Sequence, residues 1–156
     1  MNERQAAWLD QGEMAAWRSY IDGSALLEHR LNKELHAAHG LSIADYEILV
    51  RLAEQPDRRL RMSKLAKDVA HSKSRVSHQI RRLESGDLVR RVECDSDGRG
   101  VLAELTDKGM AKLRSAAPMH VAGVRRHLID LLEPHEQQVL ATVFSRLLDH
   151  LHDVDD

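Results

Sequence analysis

The stretch from Ser63 to Glu104, SKLAKDVAHSKSRVSHQIRRLESGDLVRRVECDSDGRGVLAE, constrains the fold more than any other. Ser63 opens a helix of about two turns with Leu65, Ala66 and Val69 inside. After the brief turn HSKS comes a second helix with Val76, Ile80 and Leu83 on its inner face, and Gly86 falls at the position where left-handed backbone is favoured. LVRRVE and GVLAEL then flank CDSDGR, whose Asp-Gly step favours a hairpin turn.

Two short helices across a tight turn, followed directly by a basic two-stranded ribbon, make the order of a winged helix-turn-helix. The flanks are helical. Asp10 caps a long first helix whose stripe runs through Trp17, Ile21, Leu27, Leu31 and Leu35 to the stop at HGLS. Ser42 and Asp45 form a capping box for a helix with Tyr46, Leu49, Val50 and Ala53 on one side, and LRM is a short apolar bridge of strand character. Thr106 caps a further helix with an apolar stripe from Met110 through Leu113, Ala117, Val121 and Val124 to Leu131, where Pro118 removes a backbone donor and predicts a kink. Pro134 starts a last helix carrying Leu140, Val143, Leu147 and Leu151. The expected class is mainly α with a small β-wing: a single domain over residues 1–156, with helices at 10–39 and 118–152 for dimerisation, a winged region at 42–117 and the wing at 88–105.

Composition agrees with that class. With 42% hydrophobic and 31% charged residues the chain is globular, and three prolines, eight glycines and 3% aromatics leave little for a sandwich or barrel. The amino terminus has no apolar leader and no run approaches the roughly 18 apolar residues of a membrane span, so a cytoplasmic protein is expected. The single Cys94 excludes an intrachain disulfide. The net charge of −2 hides an asymmetry: Arg58 to Arg99 holds 12 Lys/Arg against 6 Asp/Glu, whereas the remainder holds 11 against 19. The basic middle is the anion-binding candidate.

With Val76 taken as the origin of the second short helix, Ile80 and Leu83 fall within about 40 degrees of it at about 100 degrees per residue. Ser74, Arg75, His78, Arg81 and Arg82 then face solvent. The hydroxyl and imidazole groups of Ser72, Ser74, Ser77 and His78 are short enough to approach a groove floor, and Arg81 and Arg82 can reach phosphates. In the hairpin, Arg99 is suited to a narrow minor groove, and Asp97 can hold its guanidinium by a charge-assisted hydrogen bond. Replacing Arg99 by alanine is expected to cost about 1–3 kcal/mol of DNA binding. The apolar stripes of the terminal helices exceed what a small winged core covers, which points to a two-fold dimer.

The order of elements, with LSIADYEILVRLAE, LRMSKLAKDVAHSKSRVSHQIRRLESGDLVRR, the wing DSDGRG and the following LAELTDKG, resembles the MarR (multiple antibiotic resistance regulator) transcription factors over nearly the whole chain. The resemblance implies an obligate homodimer interlocked through its first and last helices, a near-palindromic double-stranded operator, and a small ligand or oxidant that releases the DNA. It implies base-edge positions for Ser74, Arg75 and His78, phosphate positions for Ser72, Ser77, Arg81 and Arg82, a wing motif at Asp97 and Arg99, and a phosphate position for Lys64. Lys73 joins this DNA-binding set. Where the oxidant-sensing branch has a reactive cysteine in its amino-terminal helix, this chain has none, so Cys94 is read as structural.

No cofactor is expected, and no enzyme: no Ser/His/Asp set, phosphate loop or carboxylate pair can be located. HEQQV at His135 has Val139 where a zinc-protease motif needs its second histidine. Trp17, Tyr20 and His120 are the candidates for a ligand pocket, His120 bordering a cavity with the two aromatics. The alternative to a ligand-released repressor is a metal-responsive regulator or ligand-sequestering protein, with histidines such as His36, His39 and His120 near the dimer interface; His150 and His152 form a further pair.

Overall fold

A computed structural model of the protein describes residues 8–69, 72–93 and 100–155. In chain order its elements are α1 (Gln11–His39), α2 (Ile43–Ala53), β1 (Arg59–Arg61), α3 (Met62–Asp68), α4 (Lys73–Ser85), β2 (Val89–Glu93), β3 (Val101–Leu105), α5 (Asp107–His127), a 3-10 turn (Ile129–Leu131) and α6 (Pro134–Asp155).

The helix starts follow local chemistry. Asp10 accepts from the Glu13 amide at 2.9 Å while Glu13 accepts from the Asp10 amide at 2.9 Å, and Ser42 with Asp45 repeats the arrangement at 3.1 and 2.9 Å. Thr106 accepts from the Gly109 amide at 2.9 Å to begin α5. Helix α3 starts one residue before the expected Ser63 and has no side-chain cap, because β1 runs straight into it at Arg61. Helix α5 runs unbroken through Pro118 to His127, and the apolar stripe beyond it passes into the separate 3-10 turn.

At the end of α4 the expected left-handed glycine is corrected. Gly86 has φ −94°, and the left-handed residue is Asp87 at φ 58°. Leu88 N–H donates to the Leu83 carbonyl at 3.0 Å and Asp87 N–H to Glu84 at 2.9 Å, the paired closure of a Schellman motif. Asp87 therefore occupies the position just past the cap, and aspartate tolerates that backbone better than most residues do.

The ribbon is also more than two strands. β1 pairs antiparallel with β3, which pairs with β2, in the order β1-β3-β2. Leu60 lies opposite Ala103 and Arg59 opposite Glu104, while Val89 lies opposite Leu105 and Arg90 opposite Glu104. Because side chains alternate across a strand, Leu60, Ala103, Leu105 and Val89 enter the core while Arg59, Arg90 and Glu104 share the outer face.

One core joins α2, α3, α4, the sheet and the start of α5, with Ile48, Leu49, Leu52, Leu65, Val76 and Ile80 fully buried. Burial of each such side chain contributes about 1.5–3 kcal/mol. Helix α1 adds only Leu31 and Leu35 as buried residues, and none of the side chains described on α6 is buried. Trp17, Tyr20, Ile21 and Leu26 of α1 and Val139, Val143, Leu147, Leu148 and Leu151 of α6 are exposed. No helix among the described residues is long and apolar enough to cross a membrane.

Candidate nucleic-acid interface

Helix α4 has two chemically distinct sides. Val76, Gln79, Ile80 and Leu83 are buried, whereas Ser72, Lys73, Ser74, Arg75, His78, Arg81 and Arg82 are exposed and Ser77 is half-buried. Ser72 caps the helix, its hydroxyl accepting from the Arg75 amide at 3.3 Å and sharing a 3.1 Å hydrogen bond with the Ser74 hydroxyl. The first turn carries no acidic residue. Its unsatisfied amides and adjacent cations thus present positive charge at the amino end, the end that suits an anionic groove.

The inner side of α4 is fixed by core packing and by two polar attachments. Arg91 of β2 donates to the Ser77 carbonyl and hydroxyl at 3.1 and 3.3 Å, and its backbone amide donates to Glu84 at 3.1 Å. Arg82 donates to the Ser42 hydroxyl at 3.0 Å and makes an ion pair with Asp45. Its guanidinium, expected at a phosphate, therefore points to the capping box of α2. Gln79 is buried although its type suggested solvent; its place three residues after Val76 is the signal that puts it on the inner side.

Beside the start of α4, Lys73 and Ser77 line a cleft of about 510 Å³ with Arg61, Ser63, Arg91 and the base of the wing. Arg61, Ser63 and Arg91 are not among the interface residues expected from sequence, since only the pairing of β1 into the sheet brings the RRLRMS linker against the hairpin. Lys64 is not one of this cleft's lining residues and is paired with Asp68 on its own helix at 2.8 Å.

On the outer face of the sheet, Arg59 donates to Glu104 at 2.5 Å and the Arg90 Nε donates to its other oxygen at 2.9 Å. Burial pushes the Glu104 carboxyl up, but the hydrogen bonds from Arg90 and Arg59 outweigh it and hold the group below the ordinary carboxylate value. The clamp ties both outer strands to the middle one, which gives the wing a rigid base. Cys94, Asp97 and Arg99 lie outside the described residues.

The expected pocket of Trp17, Tyr20 and His120 is divided. Trp17 and Tyr20 lie 6.1 Å apart between ring centroids, and Tyr20 lies 5.5 Å from Phe144 of α6. His120 instead packs against Tyr46 of α2, with ring centroids 4.5 Å apart and the planes tilted by 45°. The reason is the antiparallel run of α5 against α1: Gly123 packs on Leu31 and Glu34, about 21 Å along the helix from Trp17 at about 1.5 Å per residue. Tyr20 and Phe144 line an apolar cleft of about 970 Å³ with Leu27, Leu128 and Leu140.

Among the described residues no group of three or more His, Cys, Asp or Glu is placed to hold a metal. His36 and His39 line a cleft with Asp45, which is already paired with Arg82, and with Lys108 and Lys112, whose positive charges disfavour a cation.

A family model for the transcriptional regulators SarA/Rot matches residues 30–115. The chain is 47% identical to AbsC, a MarR family transcriptional regulator from Streptomyces coelicolor, with a TM-score of 0.89 over 95% of this chain and 99% of that one. It is 43% identical to Sco3205, a MarR family regulator from the same organism solved in complex with DNA, with a TM-score of 0.90 over 93% of this chain and 91% of that one. It is also 28% identical to the HTH-type transcriptional repressor YetL of Bacillus subtilis (strain 168), over 89% of this chain and 84% of that protein. These relatives are regulators, not enzymes.

Proposed function

This chain belongs to the MarR family of transcriptional regulators, and we propose that it acts as a homodimeric repressor that reads a near-palindromic operator and leaves it when a small molecule binds. The observation that carries this reading is the division of α4 into a buried apolar side and an exposed side of serines, a histidine and cations. Ser74, Arg75 and His78 take base edges in the major groove; Ser72, Lys73, Ser77 and Arg81 take the flanking phosphates, with Lys64 further out. On sequence grounds Asp97 and Arg99 serve the minor groove at the wing. The DNA complex of Sco3205 supports the same use of this fold.

Dimerisation is supported by α6. A helix of 22 residues with no buried side chain among those described packs only lightly on its own chain, chiefly through Phe144 against Tyr20. Its exposed stripe of Val143, Leu147 and Leu151, with Ile21 and Leu26 of α1, fits a second copy. Two-fold symmetry then sets the two α4 helices about 34 Å apart, one turn of duplex. The repressive sense is supported by YetL, which is named a repressor.

For release, the supporting feature is the cleft beside Tyr20 and Phe144, at the joint of the terminal helices, with Trp17 next to it. An effector acts there only to the extent that it binds a dimer with wrongly spaced α4 helices more tightly than the DNA-competent one. Selection of bound duplexes from a random pool tests the reading. A two-fold repeat with half-sites one helical turn apart is expected; a pool with no enriched sequence contradicts it.

A further inference from the structure

Arg82 lies on the helix that reads DNA, yet its guanidinium is turned inward. It donates to Ser42 at 3.0 Å and pairs with Asp45, whose side chain is 2% exposed while that of Arg82 is 54% exposed. One Asp45 oxygen accepts from the Ser42 amide at 2.9 Å and from Arg82, and the other has no hydrogen-bond partner. The carboxylate thus depends on Arg82 for its counter-charge. Two places compete for this guanidinium, a solvated phosphate and a buried carboxylate. Stripping a buried charge of its partner is the costlier loss, because water can screen the phosphate but not Asp45.

The same capping box is tied to the first helix, since the Ile43 amide donates to the Asn32 side chain at 2.9 Å. A continuous set of polar contacts therefore runs from α1, through the start of α2, to the carboxyl half of α4. Resting on the reading of α4 as the DNA-contacting helix, we propose that Arg82 is a positioning residue: through Asp45 and Ser42 it sets the angle of α4 against α1 and α2, and it neutralises no phosphate. Movement of α1 within a dimer then reaches α4 through Asn32 and this lock as well as through the apolar core.

Fluorescence anisotropy with the full chain and a selected operator duplex, repeated over a range of salt, tests the proposal. Asp45→Asn and Arg82→Gln are each expected to weaken binding on the order of tenfold. The double variant should bind about as well as either single variant. All three should keep the wild-type slope of log affinity against log salt, whereas Arg81→Gln should lose about 0.9 per subunit from it, about 1.8 for the dimer. Asn32→Ala should weaken binding at unchanged slope, and wild-type affinity in that variant would overturn the link to α1. If Arg82→Gln loses about 0.9 per subunit from the slope, about 1.8 for the dimer, while Asp45→Asn binds like wild type or tighter, Arg82 is a phosphate contact and the proposal is overturned. Should Asp45→Asn fail to fold, the slopes of Arg82→Gln and Ser42→Ala decide alone. A wild-type protein without duplex affinity would overturn the DNA reading itself, a different outcome from a changed Arg82→Gln slope.

Discussion

Arg91 holds Ser77: one guanidinium nitrogen of the β2 residue donates to both the carbonyl and the hydroxyl of the α4 residue, at 3.1 and 3.3 Å. The wing and the reading helix are thereby one body, with Glu84 at 3.6 Å as a second anchor for the same side chain. Arg91→Ala should lower the unfolding free energy by about 1 kcal/mol, the net contribution of such hydrogen bonds, in a chemical denaturation titration. Unchanged stability would mean that the two elements are joined by the apolar core alone.

Gly109 lets α5 seat against the turn after α4. A Cβ added there would stand 2.0 Å from the Leu88 carbonyl oxygen and 2.6 Å from a Leu105 methyl, and the first of these is backbone that cannot rotate away. Gly109→Ala should therefore destabilise the protein by about 2–3 kcal/mol despite alanine's better helix propensity. A stabilised variant in thermal melting would contradict the close approach.

His120 gives the fold a pH dependence near neutrality. Burial holds its imidazole below the ordinary 6.5, with the charge of Glu47 pulling the other way, and its Nδ1 has no partner beside Tyr46. The folded state binds this proton less readily than the unfolded chain, so the contribution is intact above 6.5 and is lost as pH falls through 6.5 toward the lower folded value. Melting curves at neutral and mildly acid pH should show a larger acid loss for wild type than for His120→Gln. Equal losses would place the imidazole in water.

Leu147 tests the role of α6. It belongs to the exposed stripe, so Leu147→Glu adds no charge to the chain's own core. Sedimentation should show the variant shifted from dimer to monomer, with duplex affinity lost in parallel. A dimer that persists would assign subunit contact to another surface.

Much of this architecture is legible locally. The cap at Asp10, the capping pair Ser42/Asp45, Thr106 ahead of α5, and the inward set Val76, Ile80 and Leu83 all follow from spacing within one helical turn. What escaped depends on partners distant in sequence. The pairing of β1 with β3 joins Arg59 to Glu104 across 45 residues, and Arg82 meets Asp45 across 37, so periodicity within α4 gives the direction of Arg82 only relative to its own helix. The separation of His120 from Trp17 has the same origin, since it depends on how far α5 slides along α1. Asp87 in place of Gly86 is a shift of one position in a motif that glycine usually completes.

The most direct test of the central claim, that the exposed side of α4 grips duplex DNA in a two-fold dimer, is the salt dependence of binding to the selected operator. Log affinity should fall linearly with log salt, with a slope of about 0.9 per phosphate neutralised by the two subunits, and Arg81→Gln should make it shallower. A flat response, with Arg81→Gln indistinguishable from wild type, would contradict the account.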